Sequence, residues 1–96
     1  MFEKGKYQGK SVEEIKSDLE GQGYHPVLIT EPPNSQLEGH SHPANHILVV
    51  TDGQMKVKTS QGEYDMQPGD KITISSRVEH AAYFGPAGCE YFWIEY

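Results

Sequence analysis

The chain has 96 residues, of which 23% are charged and 35% hydrophobic, and its formal net charge is −6 at pH 7. This length and composition allow one small folded domain, and an acidic chain with no basic cluster excludes nucleic acid and anionic membranes as expected partners. A single cysteine, Cys89, excludes an intrachain disulfide, and no apolar run approaches the ~20 residues of a membrane span. The polar start, MFEKGKYQGK, contains no apolar signal region, so we expect a cytoplasmic protein.

The first predicted element is a short helix. Ser11 and Glu14 have the spacing of a capping box. Val12, Ile15 and Leu19 form an apolar stripe at helical spacing, and Gly21 supplies a stop signal. We therefore predict an amino-terminal arm and helix over residues 1–22, packed on a barrel domain over residues 23–96.

The remainder of the chain alternates strand candidates with turn signals. The predicted strands are Tyr24–Glu31, Gln36–His40, His46–Thr51, Met55–Thr59, Glu63–Met66, Lys71–Ser75, His80–Phe84 and Glu90–Tyr96. Turn-forming residues lie between them, for example Asp52–Gly53 and Gly85–Pro86. Roughly eight short strands without an intervening helix predict an all-β barrel or sandwich.

Four histidines, His40, His42, His46 and His80, form the most informative pattern in the sequence. Neutral imidazole is the commonest protein ligand for divalent transition metals. Residues i and i+2 of a strand face the same side, so His40 and His42 are expected to project together. A turn over residues 43–45 brings the start of the next strand, His46, back to the same point. The cluster indicates a metal site.

The histidine segment resembles the first motif of the cupin family, G-x5-H-x-H-x3-4-E-x6-G. His40 and His42 match its two histidines, His46 stands at its glutamate, and Gly53 at its last glycine. Asn34 replaces the first glycine, and asparagine tolerates a left-handed backbone better than most residues. The resemblance covers roughly residues 24–96.

The segment from Gly69 to Phe84 resembles the second cupin motif, G-x5-P-x-G-x2-H-x3-N. Gly69 and His80 match, whereas Ser75, Arg77 and Phe84 replace the motif's proline, glycine and asparagine. A positive φ is costly for arginine. We therefore expect the loop before His80 to be built differently from that of the family.

The resemblance implies an all-β fold, the cupin double-stranded β-helix barrel, with the short helix added at the amino terminus. It also implies one divalent transition metal ion per chain, bound by His40, His42, His46 and His80. A ligand set of four neutral histidines leaves the full 2+ charge on the ion, which favours a small-molecule ligand that is anionic or enolisable. Manganese, iron, nickel, copper and zinc all remain candidates.

Three further residues are predicted to line the pocket. Leu48 shares strand parity with His46, and Phe84 shares it with His80, so both are expected to face inward. Phe92 resembles the position of an aromatic wall over the metal in small four-histidine cupins. No general acid or base is expected beside the ligands on these strands.

The functional prediction is a metal-dependent enzyme, of the dioxygenase or oxidase, isomerase or lyase type, that acts on a small molecule. Two alternatives stay open, a non-catalytic module that binds or senses a metal or small ligand, and a cupin whose metal is structural or absent. A homodimer is expected, because the open sheet edges and the aromatic-rich final strand leave apolar surface to cover.

Overall fold

The computed structural model of the chain describes residues 1–41 and 43–96, with His40 described by its backbone alone. Within these residues, one helix and seven strands are present. They are β1 (Phe2–Glu3), α1 (Val12–Gly21), β2 (Val27–Glu31), β3 (Gln36–His40), β4 (His46–Thr59), β5 (Gly62–Met66), β6 (Lys71–Ile74) and β7 (His80–Glu95). The part of the chain that is described contains no helix long and apolar enough to cross a membrane.

Two long strands, β4 with 14 residues and β7 with 16, organise the sheet. The first and last halves of each long strand pair with different neighbours. The hydrogen-bonded strand order is β1-β6-β4-β7-β2; in addition, β3 pairs with β7 and β5 pairs with β4. All the pairings are antiparallel. Since β4 and β7 run through both halves, the sheet folds over on itself and encloses a core.

The prediction of eight short strands is wrong at two places, where one continuous strand replaces two. Asp52–Gly53 lies inside β4, and Gly85–Pro86 lies inside β7. The register between β4 and β7 shifts twice, once between Val50 and Asp52 and once between Gly53 and Met55. These irregularities have the character of β-bulges, which bend a strand without ending it.

The predicted helix is confirmed and packs on the outer face of the sheet. Ser11 and Glu14 form a reciprocal capping box, and the helix ends at Gly21. Ile15 and Leu19 are almost fully buried. Their core cluster also contains Tyr7, Ile47, Val49, Phe92 and Ile94.

The amino-terminal arm contributes a strand that the sequence did not predict. Phe2 lies opposite Ile72 and Glu3 opposite Lys71 in the β1–β6 pair. The buried carboxylate of Asp70 anchors the same arm. It accepts hydrogen bonds from the Gly5 N–H at 2.7 Å, the Gln67 N–H at 2.9 Å and the Lys4 ammonium at 3.1 Å.

Asp70 should make the arm sensitive to acid. Burial alone would raise its pKa, but the N–H donors of Gln67 and Gly5 and the charge of Lys4 outweigh burial and hold the pKa below its ordinary value. The stabilisation that the Asp70 carboxylate supplies is therefore complete above its pKa in the unfolded chain, ~3.9. It is lost as the pH falls through the lower pKa that Asp70 has in the folded protein. Asp70→Asn should reduce the free energy of unfolding by about 1–3 kcal/mol at neutral pH.

Urea unfolding of both proteins between neutral pH and pH ~3 tests this prediction. The difference between wild type and Asp70→Asn should shrink as the pH falls. A difference that stays constant over this range would contradict the role assigned to the carboxylate.

Candidate metal centre and cavity

A cavity of about 290 Å³ lies between the two halves of the sheet. Its lining is mainly apolar, with a few polar side chains. The lining residues are Ile29, Glu31, Leu37, His46, Leu48, Met55, Ile74, His80, Ala82, Phe84, Tyr91 and Trp93. A small, mostly apolar cavity with a few convergent polar groups is the usual form of a small-molecule site.

His46 and His80 mark one end of this cavity, the histidine end. His46 is the first residue of β4 and is only 3% exposed, and His80 is the first residue of β7. Their ring centroids are 6.0 Å apart, with the ring planes inclined at 63°. Two imidazoles that each bind one ion at ~2.1 Å have centroids no more than about 6.5 Å apart. The centroid distance is therefore within the limit for two rings that bind one ion.

The hydrogen bonds of the two rings match those of metal-binding histidines. Nε2–H of His46 donates to Oε2 of Glu95 at 3.1 Å, since a carboxylate can only accept. Nδ1–H of His80 donates to the carbonyl oxygen of Val78 at 3.0 Å. Each bond assigns the lone pair to the opposite ring nitrogen, Nδ1 in His46 and Nε2 in His80. A metal-ligating histidine characteristically donates its other N–H to a carboxylate or a carbonyl in this way.

The two remaining predicted ligands are only partly within the described chain. The backbone of His40 lies directly opposite His80 in the β3–β7 pair. The side chain of His40 and the whole of His42 lie outside the described residues. Among the residues that are described, no three histidine, cysteine or acidic side chains gather into a metal site. The four-histidine set therefore stays a prediction.

Two of the three predicted lining residues, Leu48 and Phe84, line the cavity. Phe92 does not, which is a correction. It packs on the opposite face of β7, in the core cluster with Leu19 of the helix. Alternate residues of a strand face opposite sides, and in β7 it is Trp93 that faces inward. The Trp93 ring lies 5.4 Å from the His46 ring and is the aromatic wall of the histidine end.

Glu95 is a carboxylate beside His46 that the sequence analysis did not identify. It lies opposite His46 in the β4–β7 pair and is 48% exposed. Glu95 stands two residues after Trp93 on β7, so the two side chains face the same side of the sheet. This spacing is the sequence signal that could have identified Glu95.

Glu31 and Tyr91 form a second polar group at the other end of the cavity, the tyrosine end. The Tyr91 hydroxyl donates to Oε2 of Glu31 at 2.8 Å. Burial, reinforced by the Glu31 carboxylate, raises the pKa of Tyr91 well above its ordinary value, so the phenol stays protonated. Tyr91 stands four residues from Glu95 along β7, or about 13 Å at the usual strand rise. The Phe84 ring stacks on it at 5.8 Å.

Cys89, a neighbour of the tyrosine end, is a buried thiol. Burial first, and then the carboxylates of Glu31, Asp52 and Glu90, raise its pKa to about 12. A thiol with so high a pKa is a poor nucleophile at neutral pH. Cys89 is therefore a core residue.

The loop before His80 has a left-handed residue at Arg77, where the second cupin motif has glycine. Arg77 has φ 67°, although a left-handed conformation costs a non-glycine residue about 1–2 kcal/mol. Asn34, at the glycine position of the first motif, has φ 59° as expected. Both non-glycine residues at the motif's glycine positions therefore have a positive φ in this chain.

The cupin domain family matches residues 27–95, and the chain belongs to this family. No curated protein sequence matches the chain. Among solved structures, a conserved Streptococcus pyogenes protein of unknown function is similar at 17% identity with a TM-score of 0.65. The match covers 75% of this chain and 63% of that one, so this chain spans less than two thirds of its length.

Two similar structures are enzymes. The DMSP lyase of Ruegeria pomeroyi has 19% identity and a TM-score of 0.65, over 71% of this chain and 35% of the lyase. The oxalate decarboxylase of Bacillus subtilis, described for its Mn(II) centres, has 20% identity and a TM-score of 0.66, over 73% of this chain and 20% of the decarboxylase. At these identities the likeness shows the cupin fold alone.

Proposed function

We propose that this cupin is a metal-dependent enzyme that converts a small molecule in the cavity described above. One divalent ion is bound by His40, His42, His46 and His80 and supplies Lewis acidity toward an oxygen-bearing substrate. The observation that carries the proposal is the hydrogen bonding of His46 and His80. Both rings, at one end of an apolar cavity, donate an N–H to an oxygen acceptor, as metal-ligating histidines commonly do.

The cupin relatives support the same class of function. One of them is a lyase, and another is a decarboxylase that is described for its Mn(II) centres. Our proposal for this chain covers oxidase or dioxygenase, isomerase and lyase chemistry, with manganese, iron, nickel, copper or zinc as the ion. Four neutral imidazoles do not cancel the charge of the ion, so the histidine end favours an anionic group of the substrate.

The protein's own side chains prepare the cavity for such chemistry. Glu95 holds the His46 ring in one tautomer and orientation, and Trp93 packs beside that ring. The apolar lining, including Leu48 and Phe84, makes the surroundings of the histidines less polar and so strengthens electrostatic interactions there.

The test is elemental analysis of protein purified without an affinity tag or a nickel column. About one transition metal ion per chain is expected. Turnover screens with the identified metal restored, including dioxygen uptake, then assign the reaction. Stoichiometric metal without turnover in any screen would favour a binding or sensing module instead, and absence of metal uptake would refute the proposal.

Removing Glu95 should weaken metal binding without removing a ligand. Glu95→Ala is expected to lower metal affinity ~10–100-fold, as is typical when the partner of a ligating histidine is lost. Glu95→Gln should retain most of the affinity, because its amide oxygen still accepts from His46. Competition with a chelator dye measures the affinities, and Glu79→Ala is the control, since Glu79 is exposed beside His80 in the sequence. Equal affinities for Glu95→Ala and Glu79→Ala would contradict the role of Glu95.

We also propose that two chains form a homodimer through β2. Among the described strands, β2 pairs with β7 alone, so it is a sheet edge, and Val27 and Leu28 on it are 50% and 45% exposed. An exposed apolar edge is a ready surface for a second copy. Light scattering should give twice the 10.8 kDa of one chain. Leu28→Glu should give the monomer mass and Leu37→Glu should not, and a monomeric wild type would overturn the idea.

The proposal also places the protein in the cytoplasm. Cys89 is the chain's single cysteine and lies in the core as a thiol. Thiols persist in the reducing cytoplasm. Fractionation of the source cells is the corresponding test.

A further inference from the structure

We propose that the tyrosine end of the cavity binds a hydrogen-bond-donating group of the ligand, an ammonium or a hydroxyl, with the Glu31 carboxylate as the acceptor. The inference rests on the proposed function, in that both assign the same cavity to the ligand. It adds that the ligand has two unlike ends, an anionic or oxygen-bearing group for the histidine end and a donor for the tyrosine end.

The position of Glu31 is the first step. It is the last residue of β2, shares the inward parity of Ile29, and lines the cavity beside Tyr91. A carboxylate offers about four acceptor positions, and the Tyr91 hydroxyl donates to one oxygen, Oε2. A carboxylate in apolar surroundings is costly unless donors surround it. A donor group on a ligand satisfies this requirement.

The charges around the tyrosine end favour a donor over an acceptor. Within the described residues, no lysine, arginine or histidine forms an ion pair with Glu31. The charge of the Glu31 carboxylate is therefore not offset by an ion pair among these residues, and it attracts a cation and repels an anion.

The dimensions of the cavity limit the ligand. Its volume of about 290 Å³ is at the lower end of the range for small-molecule sites. The histidine and tyrosine ends are about 13 Å apart along β7 by strand rise. A short molecule with a charged or polar group at each end fits this arrangement, whereas a bulky or wholly apolar ligand does not.

The test uses two small probes, n-butylammonium and 1-butanol, in buffer with EDTA so that no metal takes part. Trp93 is the chain's only tryptophan and lines the cavity, so its fluorescence reports entry of either probe. Wild type is compared with Glu31→Gln and Glu31→Ala. Glu90→Gln is the matched control, because it removes a neighbouring charge from a side chain that accepts a hydrogen bond from Thr51.

Two results support the proposal and identify the donor. For an ammonium, both Glu31 variants should lose about tenfold or more in n-butylammonium affinity, since a charge-assisted hydrogen bond is lost. For a hydroxyl, Glu31→Ala should lose affinity for 1-butanol while Glu31→Gln, whose amide oxygen still accepts, should keep it. Glu90→Gln should stay within about threefold of wild type for both probes.

Unchanged affinity for both probes in Glu31→Ala would overturn the proposal, as would absence of any Trp93 response to either probe in wild type. Circular dichroism verifies the folding of each variant. If the Glu31 variants do not fold, Tyr91→Phe replaces them. It removes the competing phenol donor and should bind the preferred probe as tightly as wild type or tighter, and weaker binding overturns the proposal. Because metal is absent throughout, failure of the metal proposal would leave these results unchanged.

Discussion

Replacing His80 with alanine should abolish stoichiometric metal binding. The centroid of the His80 ring lies 6.0 Å from that of the His46 ring. The Nδ1–H of His80 donates to the carbonyl oxygen of Val78, so Nε2 is the nitrogen that would bind the proposed ion. Loss of an outer-shell partner already lowers affinity ~10–100-fold, and loss of a direct ligand should exceed the upper end of that range. Elemental analysis and chelator competition on wild type and His80→Ala measure the effect.

The control for this substitution is His25→Ala. His25 is exposed and lies outside both cupin motifs, so its removal should leave metal content unchanged. Thermal unfolding without metal separates loss of the site from loss of the fold, and His80→Ala should unfold near the wild-type temperature under those conditions. Metal retained at one ion per chain in His80→Ala would remove His80 from the ligand set.

Gly53→Ala should destabilise the fold by about 2–5 kcal/mol. Gly53 has φ 76°, which costs an alanine about 1–2 kcal/mol. An added Cβ would also lie 2.2 Å from the carbonyl oxygen of Gly88 and 3.0 Å from Cα of Cys89. Backbone atoms cannot rotate away, so the β4–β7 pair must shift, at a further cost of about 1–3 kcal/mol. Denaturant unfolding of the metal-free protein measures the change, which is a large fraction of the ~5–15 kcal/mol of a typical domain.

Gly9→Ala separates the two contributions. Gly9 also has a positive φ, 79°, but a Cβ there has no neighbour within 4 Å. It should therefore lose only the backbone part, about 1–2 kcal/mol. If Gly53→Ala were no more damaging than Gly9→Ala, the close packing of β4 on β7 at this bend would not be a significant constraint.

Local signals were sufficient for the helix but not for the two long strands. The capping box of Ser11 and Glu14 and the helical stripe are local patterns, and the helix forms where they predict it. At Asp52–Gly53, a glycine with positive φ suits a turn and a bulge equally well. The choice depends on pairing with β7, about forty residues away in sequence, which no local pattern contains.

The cavity illustrates the same limit on prediction from sequence. Leu48 and Phe84 follow by parity from neighbouring histidines on uninterrupted stretches of strand. Phe92 was assigned by resemblance alone, and counting parity back from Glu95, the partner of His46, selects Trp93 instead. The pairing of Glu95 with His46 depends on tertiary structure, as does the hydrogen bond between Tyr91 on β7 and Glu31 on β2.

The central proposal is that His40, His42, His46 and His80 bind one divalent ion at the histidine end of the cavity. The most direct test is anomalous diffraction from crystals of tag-free protein, recorded at the absorption edge of the metal found by elemental analysis. We predict one anomalous peak per chain, within ~2.0–2.3 Å of an imidazole nitrogen from each of the four rings. No peak between these rings, or four rings that point apart, would contradict the proposal.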